Sequence, residues 1–287
     1  MGKSHFSSFM NSNKKCEFFL VDKKFKKKTF SKAKNSKINK LNSLPKFQKF
    51  DLVIIATYST SRLNVLANLI KYNNFKYLIL EKFLFSKLED FRKAEKIVKD
   101  HRIKVFVNVW GKSILNQFMD ILKNKKIKKI EIYCRSGELL TNLIHYYDFI
   151  YALIKKNFFL SFKKNYKIIK SKRKNFLEIN GELISKKHNI WITTLKNIRF
   201  HKFKIITEKK NYIIKVNYNG KCNYYVDNKL IYNGFFPFSF LTTAKYFYKD
   251  FKSKKITYFN NFKPISQLSK NILLSLKRLN IKNKAIT

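Results

Sequence analysis

Along the first 125 residues the apolar positions switch between two registers. DLVIIAT (51–57) is an unbroken β-branched apolar run, the pattern of a strand covered on both faces. STSRLNVLANLIKY (59–72) follows, with apolar residues at 63, 65, 66, 69 and 70 in helical spacing behind serine and threonine caps. KYLILEK (76–82) predicts a strand, and SKLEDFRKAEKIVKDH (86–101) an amphipathic helix with Ser86 and Glu89 as a capping box. KVFVNVW (104–110) predicts a further strand, with a helix over 112–123. Upstream, EFFLVD (17–22) reads as a short buried strand ending in an acid, and the Lys/Ser-rich stretch 23–50 as a loop with a weak helix. Strand–helix units of this length predict a doubly wound α/β sheet with right-handed crossovers.

Beyond residue 125 the texture changes. KKIEIYC (128–134) predicts a strand and LLTNLIHYYDFIYALI (139–154) a strongly apolar helix. Strand-like runs then fill 165–235, punctuated by Asn-Gly pairs at 180–181, 219–220 and 233–234. Asn-Gly favours two-residue turns, so NYIIKVNY and CNYYVDN form a predicted hairpin around Asn219-Gly220. Helices near 238–251 and 264–279 close the chain. This half predicts an α+β domain with an open, mainly antiparallel sheet. The division expected is a first domain over 1–111 and a second over 112–287.

Composition narrows the partners. Sixty-three Lys and Arg against 17 Asp and Glu give a formal charge of +46, which invites polyanions. The lysines are spread through every segment, however, and Lys, Asn, Ile, Phe and Tyr all have A/T-rich codons, so a base bias of the genome accounts for the charge. A nucleic-acid binder needs a clustered basic face or aromatics interleaved on a sheet. The aromatics here read as core positions among Leu and Ile, so no specific nucleic-acid partner is expected. Cys16, Cys134 and Cys222 are too scattered for a disulfide framework or a zinc site, and no metal is expected. No apolar run approaches the roughly 18–20 residues of a membrane span, and the N-terminus has no signal-peptide core. A soluble cytoplasmic protein is the expectation.

Three ordered motifs carry the chemistry: DLVIIAT-YSTSR, the strand-end LEK at 80–82, and the helix segment NLIHYYD at 142–148. Together with SKRKNFLEINGEL (171–183) and KPISQLSKNILLSL (263–276), they resemble the glucose–fructose oxidoreductase / inositol dehydrogenase family of oxidoreductases. The resemblance implies a dinucleotide-binding domain followed by a domain whose open sheet backs the active site. It also implies that Lys82, after Glu81, contacts substrate and cofactor, with Phe83 standing where the family has proline. His145 is implied as the acid/base group, with Asp148 orienting the helix or the imidazole. An aspartate common in the family one turn before this histidine is here Thr141, a departure that leaves substrate class and catalysis open.

The cofactor end also departs. A dinucleotide fold needs a strand, G-x-G-x-x-G and then a helix that receives the pyrophosphate. No such fingerprint occurs, but Gly2-Lys3-Ser4-His5 resembles the family's last glycine and the start of its first helix. Asp22, twenty positions after Gly2 at a strand end, is placed to accept ribose hydroxyls. Thr57 and Ser59 would line the cofactor crevice. The first strand and two glycines are therefore expected to be missing, through an incorrectly assigned start or a truncated gene. The function expected is an NAD(P)-dependent oxidoreductase acting on a sugar, sugar-nucleotide or other polyhydroxy substrate, with NAD favoured by Asp22 and a homo-oligomer possible. The alternative is a non-catalytic or degenerate relative that binds a ligand or partner subunit.

Overall fold

The computed structural model describes residues 2–12, 15–22, 36–115, 118–122, 124–171, 176–236, 238, 244–245, 247–248 and 260–279. They form two compact units. The first comprises residues 1–85, 89–108 and 239–262, the second 86–88, 109–238 and 263–287.

In the first unit, α1 (Gly2–Met10) leads to β1 (Glu17–Val21) and β2 (Lys37–Leu41), which pair in parallel as a two-stranded sheet. A second sheet holds β3 (Lys49–Ile55), β4 (Asn74–Leu80) and β5 (Lys104–Val107), all parallel, with β16 (Asn260–Asn261) antiparallel on β5. The connecting helices are α2 (Arg62–Tyr72) and α3 (Leu88–Asp100), giving the doubly wound pattern that the sequence predicts. Both β1 and β3 are edge strands, and no described strand pairs with either free edge. The parallel strands of this unit thus fall into two separate sheets, β1-β2 and β3-β4-β5. Side chains link the two pieces: Phe18 of β1 meets Phe6 and Phe9 of α1 edge-on at 5.1 and 6.5 Å, and Phe19 meets Phe50 at 5.3 Å. Phe18, Leu52, Ile54 and Tyr77 pack on one cluster with Phe9, Ala244 and Phe247.

The second unit is built on an eight-stranded sheet. Its strands are β6 (Ile127–Arg135), β7 (Ser161–Phe162), β10 (Glu182–Ser185), β11 (Ile190–Leu195), β12 (Phe200–Thr207), β13 (Asn211–Asn217), β14 (Lys221–Val226) and β15 (Lys229–Phe235). Their order is β15-β14-β13-β12-β6-β11-β10-β7, antiparallel except for β6 beside β11. β8 (Lys167–Lys170) and β9 (Leu177–Asn180) form a separate hairpin. The inner face carries Ile130, Ile132, Ile192, Phe203, Ile205 and Ile214, all fully buried. Apolar helices α5 (Leu139–Ile154) and α6 (Phe262–Lys277) supply further buried residues, Leu143, Ile144 and Phe149 from one and Leu268, Ile272 and Leu276 from the other.

Several elements depart from the pattern. Residues 37–41, expected in a loop, are β2; with two lysines among five residues its apolar signal is weak. Ser61 does not cap α2 through its side chain, because its hydroxyl donates to the Tyr58 carbonyl. The helix expected over 112–123 is a 3₁₀ turn (Lys112–Leu115) followed by the single turn α4 (Met119–Leu122). The Tyr224 hydroxyl takes the Ile114 carbonyl at 2.7 Å, an acceptor that a continuous helix would have used. The Asn219-Gly220 hairpin forms as expected, with Gly220 at φ +93. Asn233-Gly234 lies inside β15 instead, and the β14–β15 turn is made by Asp227 and Asn228, both left-handed. The helix expected over 238–251 lies largely outside the described residues. Not every aromatic is core either: Tyr133, Trp191, Phe200 and Tyr225 are only half-buried, on the sheet's outer face.

Candidate functional site

In the first unit, the site elements gather at the carboxyl ends of parallel strands, where such sheets hold ligands. β4 ends at Leu80, and Glu81, Lys82 and Phe83 follow directly, with a cis peptide between Lys82 and Phe83. Glu81 is 2% exposed. Its Oε1 sits 2.6 Å from His5 Nε2 on α1 and accepts from Asn108 Nδ2 at 2.6 Å. Burial alone would raise the Glu81 carboxyl, but the bonds from His5 and Asn108 and the charges of His5 and Lys82 hold it below its ordinary range. Oε2 of Glu81 is buried without a hydrogen-bond partner among the described residues. Lys82 itself is half-buried.

Arg62, the last residue of the YSTSR motif and the first of α2, was given no role by the sequence, yet it anchors this turn. Its guanidinium is 2% exposed and donates to the carbonyls of Thr57, Glu81, Phe83 and Leu84. Burial brings it down to about 10 against the opposing pull of Glu81, so it stays charged at neutral pH. One cation thereby ties the end of β3 to the end of β4. Thr57 is exposed and Ser59 buried in the loop after β3. A Cβ added to exposed Gly2 would stand 3.7 Å from the Ala56 Cβ, so the first turn of α1, with exposed Lys3, adjoins this loop. Asp22 is exposed just past β1, its N–H donating to the Leu41 carbonyl.

In the second unit, His145 and Asp148 both lie on α5 and are each 3% exposed. Nδ1 of His145 accepts the Trp110 N–H at 3.3 Å, and the imidazole stacks on the Trp110 ring at 4.3 Å. With Nδ1 accepting, the neutral ring carries its proton on Nε2. Asp148 Oδ2 accepts the Lys112 N–H at 2.6 Å, capping the 3₁₀ turn. Gly111, between them, presses on α5: an added Cβ would come within 1.8 Å of the His145 carbonyl oxygen.

Thr141 has a carboxylate beside it after all. Glu178 of β9, buried, accepts from the Thr141 hydroxyl, from the Thr141 N–H at 3.1 Å and from the Leu140 N–H at 2.8 Å. It satisfies orphan donors in the first turn of α5 and opposes the positive end of the helix dipole. Its position in LEINGEL showed no partner in sequence, because the pairing spans 37 residues. A groove of about 540 Å³ elsewhere in this unit, lined by Ile121, Tyr212 and Ile231 among others, contains none of the predicted residues.

For a nicotinamide dinucleotide, the first unit offers an exposed carboxylate after a parallel strand, exposed Gly2 and Lys3 at the start of α1, and, beside Lys82, a Glu81 oxygen without a hydrogen-bond partner among the described residues. These fit the ribose and the polar edge of such a cofactor, while a glycine-rich phosphate turn is not among the residues present.

No family model matches this chain, and no curated protein does. Solved structures do. The biliverdin reductase of Synechocystis sp., in complex with biliverdin and NADP+, is 8% identical over 96% of this chain and 94% of its own, with a TM-score of 0.64. Gal80p of Saccharomyces cerevisiae, a super-repressor mutant, is 16% identical over 79% and 78%, with a TM-score of 0.58. The UDP-N-acetylglucosamine 3-dehydrogenase of Acidithiobacillus ferrooxidans is 10% identical over 82% and 78%, with a TM-score of 0.52. At these identities the likeness is one of fold, and the fold is that of the glucose–fructose oxidoreductase / inositol dehydrogenase type, as the motifs implied. No helix among the described residues is long and apolar enough to cross a membrane.

Proposed function

We propose that the chain is a nicotinamide-dependent oxidoreductase of a sugar, sugar-nucleotide or other polyhydroxy substrate. The observation that carries this reading is Lys82, half-buried at the end of β4 and flanked by Glu81, which is held by His5 and Asn108 in a turn closed by Arg62. An ammonium so fixed orients a substrate oxygen and exchanges its proton as a carbinol becomes a carbonyl. Asp22 is assigned to the adenosine ribose, favouring NAD, with Gly2 and Lys3 at the start of the helix that receives the pyrophosphate and Thr57 and Ser59 lining the cofactor crevice. When bound, the nicotinamide supplies or accepts the hydride. In the second unit, His145 is assigned as the acid/base group, Asp148 fixes the turn that follows Trp110, and Thr141 with Glu178 secures the helix. The relatives of like fold that are a sugar-nucleotide dehydrogenase and an NADP+-bound reductase support the reading.

A second reading rests on the split sheet and on Trp110 stacked against His145: a relative that binds a ligand or partner without turnover. Gal80p is a relative of like fold described as a repressor. Assay of NAD- and NADP-linked oxidation across sugars, polyols and sugar nucleotides, in the parent and in Lys82→Ala, separates the two. Turnover lost in Lys82→Ala with fold intact supports the enzyme. Equal rates in both proteins overturn the assignment of Lys82, and absence of turnover across the set favours the second reading.

A further inference from the structure

The groove of about 540 Å³ in the second unit lies where the start of β13, the end of β14 and the start of β15 adjoin. The Tyr212 ring lines it from the core, 2% exposed and packed edge-on against Phe118 at 5.5 Å. Ile121 of α4 and Ile231 of β15 line it from the surface, 41% and 46% exposed. Single exposed aliphatic side chains are ordinary, but these two share one hollow. The volume falls in the range of small-molecule sites, roughly 300–1,000 Å³, and apolar walls with a few placed polar groups are their usual lining.

The polar groups sit on two turns, and each turn is fixed by its own hydrogen bonds. At the first, the Thr207 N–H and hydroxyl donate to the Lys210 carbonyl at 3.0 and 2.9 Å, and the Lys210 N–H donates to Thr207 Oγ1 at 3.1 Å. At the second, the Asp227 N–H donates to the Asn211 carbonyl at 2.9 Å, and the Asn211 N–H donates to Asp227 Oδ1 at 2.8 Å. Lys229 follows as the first residue of β15, opposite Val226. The rim carboxylate is thus committed to backbone, while Lys210 and Lys229 form no ion pair among the described residues. Two ammonium groups and one carboxylate leave the rim a single positive charge in excess. A neutral occupant would leave that charge unmatched, and a polyanion would set charge against aliphatic walls.

We infer that this groove binds a small apolar monoanion, one carboxylate carried on an aliphatic or aromatic body. The carboxylate sits between Lys210 and Lys229, and the body lies against Ile121, Tyr212 and Ile231. Octanoate is the probe, titrated calorimetrically into the full chain at physiological salt, with octanol as a neutral control of the same length. I231D places a charge in the apolar wall at an exposed position of an edge strand, and circular dichroism checks that its fold is retained. K210E/K229E reverses the rim, and K93E/K96E makes the same charge change on exposed lysines of α3.

The expected result is saturable binding at one site, tighter for octanoate than for octanol. I231D raises the Kd for octanoate about tenfold or more. K210E/K229E raises it about threefold or more and leaves octanol unaffected, while K93E/K96E changes neither. Heat that does not saturate, an unchanged Kd in I231D, equal losses for the two lysine pairs, or equal affinity for octanol and octanoate overturns the inference. Sedimentation velocity supplies the remaining outcome: self-association lost in I231D, with no octanoate bound by the parent, assigns the groove to a second copy and also overturns it.

Discussion

His5 Nε2 lies 2.6 Å from Oε1 of Glu81, joining the first helix to the end of a strand 76 residues away in a site that is nearly dry. The Glu81 carboxyl is depressed, so its contribution to stability is present above the unfolded-state value near 4.5 and is lost as pH falls through the lower folded-state value. Acid unfolding of Glu81→Gln, followed by circular dichroism, is expected to lose that part of the pH dependence and to start from a protein less stable by about 3 kcal/mol. An acid limb identical to the parent's would show that the pair carries no such linkage.

Arg62 joins β3 to β4 through carbonyls alone, so shape does not substitute for it. Arg62→Met leaves four acceptors short of a buried donor and is expected to cost about 3 kcal/mol or more in urea unfolding. Arg62→Lys is expected to recover only a small part, because one ammonium does not reproduce the planar fork.

Gly111 presses directly on the α5 backbone. Gly111→Ala is expected to displace the segment that carries Trp110, lowering the midpoint of urea unfolding by the equivalent of about 2–4 kcal/mol. Near-ultraviolet circular dichroism would register the altered stacking of Trp110 on His145.

Glu178→Gln keeps the shape of the cap on α5 and removes its charge. The expected loss is about 1–2 kcal/mol, larger than for Thr141→Val, which leaves the two backbone N–H bonds in place. A reversed order would mean that the hydroxyl, and not the carboxylate charge, secures the helix.

The fold was readable wherever the apolar period was long and the partners near in sequence. DLVIIAT became β3, LLTNLIHYYDFIYALI became α5 residue for residue, and Asn219-Gly220 made its hairpin. What escaped was set by contacts distant in the chain. Arg62 and Glu178 lie inside the sequence motifs, but the carbonyls that the one binds and the helix start that the other caps are 5 to 22 and 37 to 38 positions away. The 112–123 helix broke on a carbonyl claimed by Tyr224, 110 residues on. Lys82, His145 and Asp148 stood out through their motifs, but their surroundings depend on tertiary packing: the buried Glu81 network next to Lys82, the Trp110 face against His145 and the Lys112 N–H on Asp148.

The central claim is that the first unit receives a nicotinamide dinucleotide. Titration calorimetry with NAD(H) and with NADP(H), on the parent and on Asp22→Ala, tests it directly. The account predicts saturable one-to-one binding, tighter for NAD(H), and weakened in Asp22→Ala by about tenfold, as loss of a charged hydrogen-bond acceptor requires. Absence of heat and of saturation with both cofactors would contradict it.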